Sequence, residues 1–227
     1  MKIMNELIFK DLGMIAYSDA YRIQNELFKR LIKKKQNGEN TSGTVLFCEH
    51  PHVYTVGKSG NHSNLLISEK ELKKIHAEYF PVDRGGDITY HGPGQLVMYP
   101  IIDLDNYGAG VKDYIYFLEY LIIDILKDYG IEGEINKGNI GVWLDVGKAK
   151  ERKICSIGVK VSRKITMHGI ALNVHTDLSY FDYINPCGFT DKSVTSFKRE
   201  CSVDVELSDL KLKIRENFLK RLIILKK

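Results

Sequence analysis

No apolar run in this 227-residue chain approaches the roughly 18 to 20 residues that a membrane-spanning helix requires. The first residues, Met1-Lys2-Ile3-Met4-Asn5-Glu6, lack the long apolar stretch of a signal peptide. A cytoplasmic protein with no membrane partner is expected. Cysteine is scarce: Cys48, Cys155, Cys187 and Cys201 are the only four, and no pair has C-x-x-C spacing. That argues against a zinc or iron–sulfur site, and a cytosolic chain of this size is not expected to carry a disulfide framework. Charge of one sign is also lacking, since 33 basic against 29 acidic residues leave only +4. This is too little to argue for a nucleic-acid partner. The excess is local, with seven Lys or Arg against two acids between Asp209 and Lys227. That stretch reads as a solvated helix face or as a docking surface for an acidic partner. Linkers, low-complexity segments and internal repeats are absent, and the length favours one domain over residues 1–227.

Two nucleotide signatures are missing as well. The chain has neither G-x-x-x-x-G-K-[ST] nor a G-x-G-x-x-G between a strand and a helix. It does have Arg84-Gly85-Gly86-Asp87-Ile88-Thr89-Tyr90-His91-Gly92-Pro93-Gly94-Gln95, with four glycines and a proline in twelve residues. Glycine lets a ligand approach the main chain closely, and proline stiffens the path beside it. The apolar run Leu96–Ile102 follows at once. The segment therefore leads into a strand and offers no helix N-terminus to a phosphate, which argues against ATP or a dinucleotide. It reads as a binding loop on a rigid scaffold.

Periodicity supplies the rest of the frame. Ala20, Ile23, Leu27 and Leu31 mark an amphipathic helix over 18–36 with Ser18 as its cap. Ser68-Glu69-Lys70-Glu71 is a capping-box pattern opening a short helix to about Ala77. Val111, Tyr114, Ile115, Leu118, Leu121, Ile122, Ile125 and Leu126 form the clearest helical stripe. Leu207, Leu210, Ile214 and Phe218 mark a last helix, over about 207–224. Val45–Glu49, Val53–Val56, Gly141–Val146, Ile154–Val161 and Thr166–Val174 read as strands, the last two paired through Ser162-Arg163-Lys164. Without regular βαβ alternation, the pattern favours an α+β fold, a mixed and largely antiparallel sheet flanked by helices.

Three kinds of residue are candidates for chemistry. Cys187, in Asn185-Pro186-Cys187-Gly188, reads either as a thiol in the tight, exposed turn that a nucleophile needs or as a loop cysteine without a role, whereas Cys48 and Cys155 sit in apolar strands and read as buried hydrophobes. Lys153 opens a strand edge where partial desolvation would bring its pKa down, although a strand-end lysine facing water is the plainer reading. His91 and His168 are possible bases. His50 and His52 flank Pro51 with a spacing that suits a metal, but no third ligand is evident.

These residues coincide with ordered motifs. The Arg84–Gln95 run, Glu49-His-Pro-His-Val-Tyr-Thr-Val-Gly57, Lys153-Ile-Cys-Ser-Ile-Gly158, His168-Gly-Ile-Ala-Leu-Asn-Val174 and Asn185-Pro-Cys-Gly188 resemble, in order, those of the lipoyl(octanoyl) transferases. The resemblance spans roughly residues 7 to 200. It departs at Cys155, where a small residue such as alanine would be usual, and in the polar stretch Val146–Arg152. It implies the fold of lipoate and biotin protein ligases and transfer of an octanoyl group from octanoyl-acyl carrier protein to a lysine of lipoyl domains. The implied acceptors are the lipoyl domains of 2-oxoacid dehydrogenase complexes and the glycine cleavage H protein. It implies Cys187 as the acyl-thioester nucleophile, with Lys153 lowering the thiol pKa and serving as base. It implies substrate contacts at Arg84, Gly85, Gly86, Asp87, Ile88, Thr89, Tyr90 and His91, at Ser156, Ile157 and Gly158, and at His168, Gly169 and Ile170. No cofactor, no metal and a monomer are expected. Two alternatives remain: an ATP-dependent lipoate ligase on the same fold, and a non-catalytic protein that binds lipoyl domains.

Overall fold

The computed structural model describes residues 7–185 and 193–225. Two-residue alternation builds the main sheet. In β2 (Thr44–Glu49), Val45 and Phe47 face one side while Leu46 and Cys48 face the other. In β6 (Gln95–Ile101), Leu96 and Met98 join the first side, and Val97 and Tyr99 the second. Both faces are therefore apolar, and both are covered by helices. Helix α1 (Tyr17–Gln36) lays Ala20, Phe28 and Leu31 on the second side. Helices α3 (Val111–Lys127) and α5 (Leu207–Leu225) cover the first, where Leu118, Ile122 and Phe218 are fully buried.

The sheet runs β1-β2-β6-β10-β9-β8-β7. Its remaining members are β1 (Ile8–Met14), β7 (Glu134–Ile135), β8 (Val142–Leu144), β9 (Arg152–Ser162) and β10 (Ile165–Asn173). Most pairs are antiparallel, but β1 and β2 pair in parallel through α1. The β9–β10 hairpin turns at Arg163 and Lys164, whose φ of 51° and 67° give the left-handed turn that matches strand twist. Where β10 ends, β11 (Ser193–Val194) takes its place, setting Ser193 opposite Arg152 and Val194 opposite Lys153. The short α4 (Phe197–Glu200) follows.

A second sheet, β4-β3-β5, joins β3 (Val53–Val56), β4 (Glu78–Pro81) and β5 (Ile88–His91). Helix α2 (Glu69–Lys74) connects β3 to β4, and the Ser68–Glu71 capping box is formed as its sequence predicts. Three expectations change. Helix α1 starts one residue before Ser18, with Ala16 at the cap position and no side-chain cap. Helix α2 stops three residues short of Ala77. A third of the glycine-rich segment is strand β5 rather than loop. No described helix is long and apolar enough to cross a membrane.

Candidate functional site

Between the two sheets lies a cavity of about 440 Å³. Its walls come from segments far apart in sequence. Strand β9 supplies Lys153, Ser156, Ile157, Gly158 and Val159, and β10 supplies His168, Gly169, Ile170 and Ala171. The glycine-rich segment closes one side with Arg84 to Thr89 and His91. Val111 and Ile115 of α3, with Asn139 and Ile140 ahead of β8 and Trp143 within it, close another. Every substrate-contact candidate except Tyr90 lines this space. Tyr90 turns to the other side of β5, where its ring stacks on Tyr180 and its hydroxyl meets His52 Nδ1 at 2.7 Å. Strand β5 alternates, so Tyr90 and His91 cannot share a face.

Cys187 lies outside the described residues. The chain on either side of it is fixed. Before it, the Asn185 N–H donates to Asn64 O at 2.8 Å, and Ile184 bridges to Leu65. After it, Ser193 and Val194 line the cavity next to Lys153. Lys153 Nζ sits 4.5 Å from the ring centroid of Trp143, a cation–π contact that stabilises an ammonium there. Trp143 and Tyr17 line the site, and Asp83 supports it through His168, without any sequence signal that marks them. Trp143 is the chain's only tryptophan, and nothing in its neighbours distinguishes a site ring from a core ring.

Burial shapes the electrostatics of the far wall. The Arg84 guanidinium donates to Thr55 O at 2.7 Å, to Thr55 Oγ1 at 2.9 Å and to Gly85 O at 3.1 Å. Burial lowers its pKa. His168 adopts φ +60°, a strained conformation for a residue with a Cβ. Its N–H donates to Gln24 Oε1, and its Nε2 meets Asp83 Oδ1 at 3.1 Å. The His168 bond, with Lys160 beside it, holds the Asp83 carboxyl below the usual carboxylate range. The buried His168 ring has its own pKa lowered.

His50 shows how its tautomer is set. Nδ1–H donates to Ile15 O at 2.8 Å, so Nε2 is bare and accepts the Tyr99 hydroxyl at 2.8 Å. His50 and His52 face different clusters, and among the described residues no group of three His, Cys, Asp or Glu could hold a metal. Burial brings His50 down to about 4 from 6.5 and keeps the Cys48 and Cys155 thiols protonated. Between pH 6.5 and 4 the unfolded chain takes up a proton that folded His50 refuses. Stability should therefore hold above pH 6.5 and fall as pH drops below it. Going from pH 7 to 5 should cost about 2 kcal/mol through His50 alone. Urea melts at both pH values check this, and His50→Gln should flatten the dependence. His91, also lowered by burial, acts in the same direction.

Among the described residues, four cations of the basic C-terminal stretch have partners. Lys211 pairs with Asp11 at 2.7 Å, Lys213 with Asp128 at 3.2 Å and Arg221 with Asp124 at 2.5 Å, while Arg215 stacks over Phe9. These cations tie α5 to the body of the molecule.

A family profile described as the lipoyl protein ligase A/B catalytic domain matches residues 16–219. A Bacteroides fragilis octanoyltransferase is 48% identical over 217 residues, covering 95% of this chain and 98% of its own. The chain belongs to this family. A Flavobacterium johnsoniae octanoyltransferase is 48% identical over 93% of this chain and 94% of its own. Family membership makes the protein an acyltransferase, as the motifs imply. The family fold extends to the bipartite lipoate protein ligase of Thermoplasma acidophilum, with TM-score 0.72, 16% identity and coverage of 96% of this chain and 84% of that one. A lipoate-protein ligase A bound with ATP aligns at TM-score 0.68 and 16% identity, covering 96% of this chain and 85% of its own. These likenesses confirm the expected α+β, ligase-like fold.

Proposed function

We propose that the protein moves an octanoyl group from octanoyl-acyl carrier protein to a lysine of lipoyl domains, through a thioester on Cys187. The observation that carries this reading is Lys153 in the wall of a largely apolar cavity, beside the point where the chain returns from Cys187. An ammonium near a thiol favours the thiolate, which is the attacking species. The thiolate adds to the carrier's thioester carbonyl, and the C–S bond to the carrier breaks. The departing carrier thiolate takes a proton from Lys153, leaving a neutral amine. That amine accepts the proton released when the acceptor lysine attacks the Cys187 thioester. An amide forms, the Cys187 thiolate is restored and Lys153 is again an ammonium. Exchange of one thioester for another is near neutral, and amide formation runs downhill, so the cycle consumes no ATP. Ile115, Ile140, Ile157 and Ile170 supply the apolar wall for the acyl chain, at about 0.8 kcal/mol per methylene buried.

Intact-mass measurement after incubation with octanoyl-acyl carrier protein, without ATP, tests the reading. One octanoyl adduct, passed on when a lipoyl domain is added, is expected. An unmodified protein would sink the proposal, and modification of lipoyl domains that requires ATP and free lipoate would establish the ligase instead.

A further inference from the structure

One buried chain of hydrogen bonds runs behind the cavity and has a single direction throughout. Arg84 Nη2 donates to Thr55 Oγ1 at 2.9 Å, and that hydroxyl donates to His91 Nε2 at 3.4 Å. His91 Nδ1 donates to Gln95 Oε1 at 2.8 Å. Gln95 Nε2 donates to Asn173 Oδ1 at 2.9 Å, and Asn173 Nδ2 donates to Thr195 O at 3.0 Å. None of these residues is more than 7% exposed. The polarity is forced, because an amide oxygen must face each donor and reversing one side chain would set like groups against each other.

The chain ends at a residue that is held from two further sides. The Thr195 N–H donates to Lys153 O at 2.8 Å. Its hydroxyl donates to Glu200 Oε1, and Arg152 grips both oxygens of that carboxylate at 2.6 and 2.7 Å. Arg152 precedes Lys153, and Thr195 directly follows β11, where the chain comes back from Cys187. Asn173 does not line the cavity, yet its donated bond reaches the anchor shared by Lys153 and that returning chain.

We propose that Asn173 is a positioning residue for acyl transfer, fixing Thr195 and with it the place where the Cys187-bearing chain rejoins the sheet beside Lys153. The inference rests on the transferase reading. Misplacing reacting groups by about 1 Å can cost on the order of 100-fold in rate, so a support of this kind acts on rate far more than on binding. Asn173→Asp keeps the shape and the acceptor for Gln95, and replaces the donor that meets Thr195 O with an acceptor. Thr195→Val removes the tie to Glu200 while keeping the backbone bonds.

The measurement is the pH dependence of Cys187 alkylation by iodoacetamide, alongside octanoyl-transfer kinetics and melting temperature. In Asn173→Asp the alkylation midpoint should move up towards the ordinary thiol value of about 8.5. Its kcat should fall roughly tenfold or more, with KM for the carrier changed less than about twofold. Asn173→Ala, which removes the donor without adding a charge, should shift both in the same direction and carries the test alone if Asn173→Asp does not fold, while Thr195→Val, which leaves the Asn173 bond in place, should shift both by a smaller factor. A lowered melting temperature with an unmoved alkylation profile and unchanged kcat would assign Asn173 to stability only and overturn the proposal. Should the wild type take up no octanoyl group, the transferase reading falls, while the alkylation profile still decides the role of Asn173.

Discussion

Serine in place of Cys187 and methionine in place of Lys153 are expected to abolish octanoyl transfer, and to do so at distinguishable steps. Cys187→Ser should show no adduct by mass at any pH, because a serine hydroxyl without a strong adjacent base is a poor nucleophile. Lys153→Met keeps the length and the contact with the Trp143 ring, but loses both the charge and the proton carrier. Its thiol should form the octanoyl adduct slowly at pH 7 and faster as pH rises towards about 8.5, where the thiolate forms unaided. The acyl group should then remain on the enzyme. An acceptor lysine of pKa about 10.4 is almost wholly protonated at pH 7, and nothing would take its proton. A loss of about 10³-fold in the second half-reaction is expected, against about tenfold to 100-fold in the first. Single-turnover mass spectrometry separates the two. A Lys153→Met enzyme that passes its acyl group on at the wild-type rate would remove Lys153 from the second step and leave it only its effect on the thiol.

The wall of the cavity was legible in the sequence in part. Lys153, Ser156–Gly158 and His168–Ile170 lie on two strands that pair directly, and an apolar run broken by a short basic turn predicts such a hairpin. The α3 stripe and the burial of Cys48 and Cys155 follow from local periodicity in the same way. What stayed hidden depends on distance or on phase. Tyr90 faces away from the cavity because β5 alternates, and a segment read as loop carries no phase. The ion pairs that occupy the C-terminal cations join residues up to 200 positions apart, Lys211 to Asp11 being the longest. No spacing rule reaches that far. His50 and His52 are only two positions apart but serve different sheets, since the chain crosses from β2 to β3 between them. Asp83 and Tyr17 enter the site through packing that only the assembled sheets define.

Alanine in place of Gly169 is expected to be among the most destabilising single-methyl changes in the molecule, and the reason separates two uses of glycine. Gly38 has φ +70° and open space around it, so Gly38→Ala should cost only the left-handed conformation, about 1 kcal/mol. Gly169 is the reverse case. It is a strand residue next to strained His168, where β10 presses against the backbone of β6. A Cβ there would meet Met98 O inside any allowed contact and Pro100 Cδ at 2.7 Å. Neither neighbour is a flexible chain end, so the two central strands must part. Overpacking of this kind, together with strained ladder bonds, should cost about 3 kcal/mol or more. Urea melts should show a lower midpoint at unchanged slope for both variants, and a loss for Gly169→Ala several times that for Gly38→Ala. The same displacement moves His168 and Ile170 in the cavity wall, so KM for the octanoyl donor should rise in Gly169→Ala and stay level in Gly38→Ala. Equal melting of the two variants would mean that β10 can shift freely. The strain at His168 would then be confined to that residue, with no part in setting the width of the cavity.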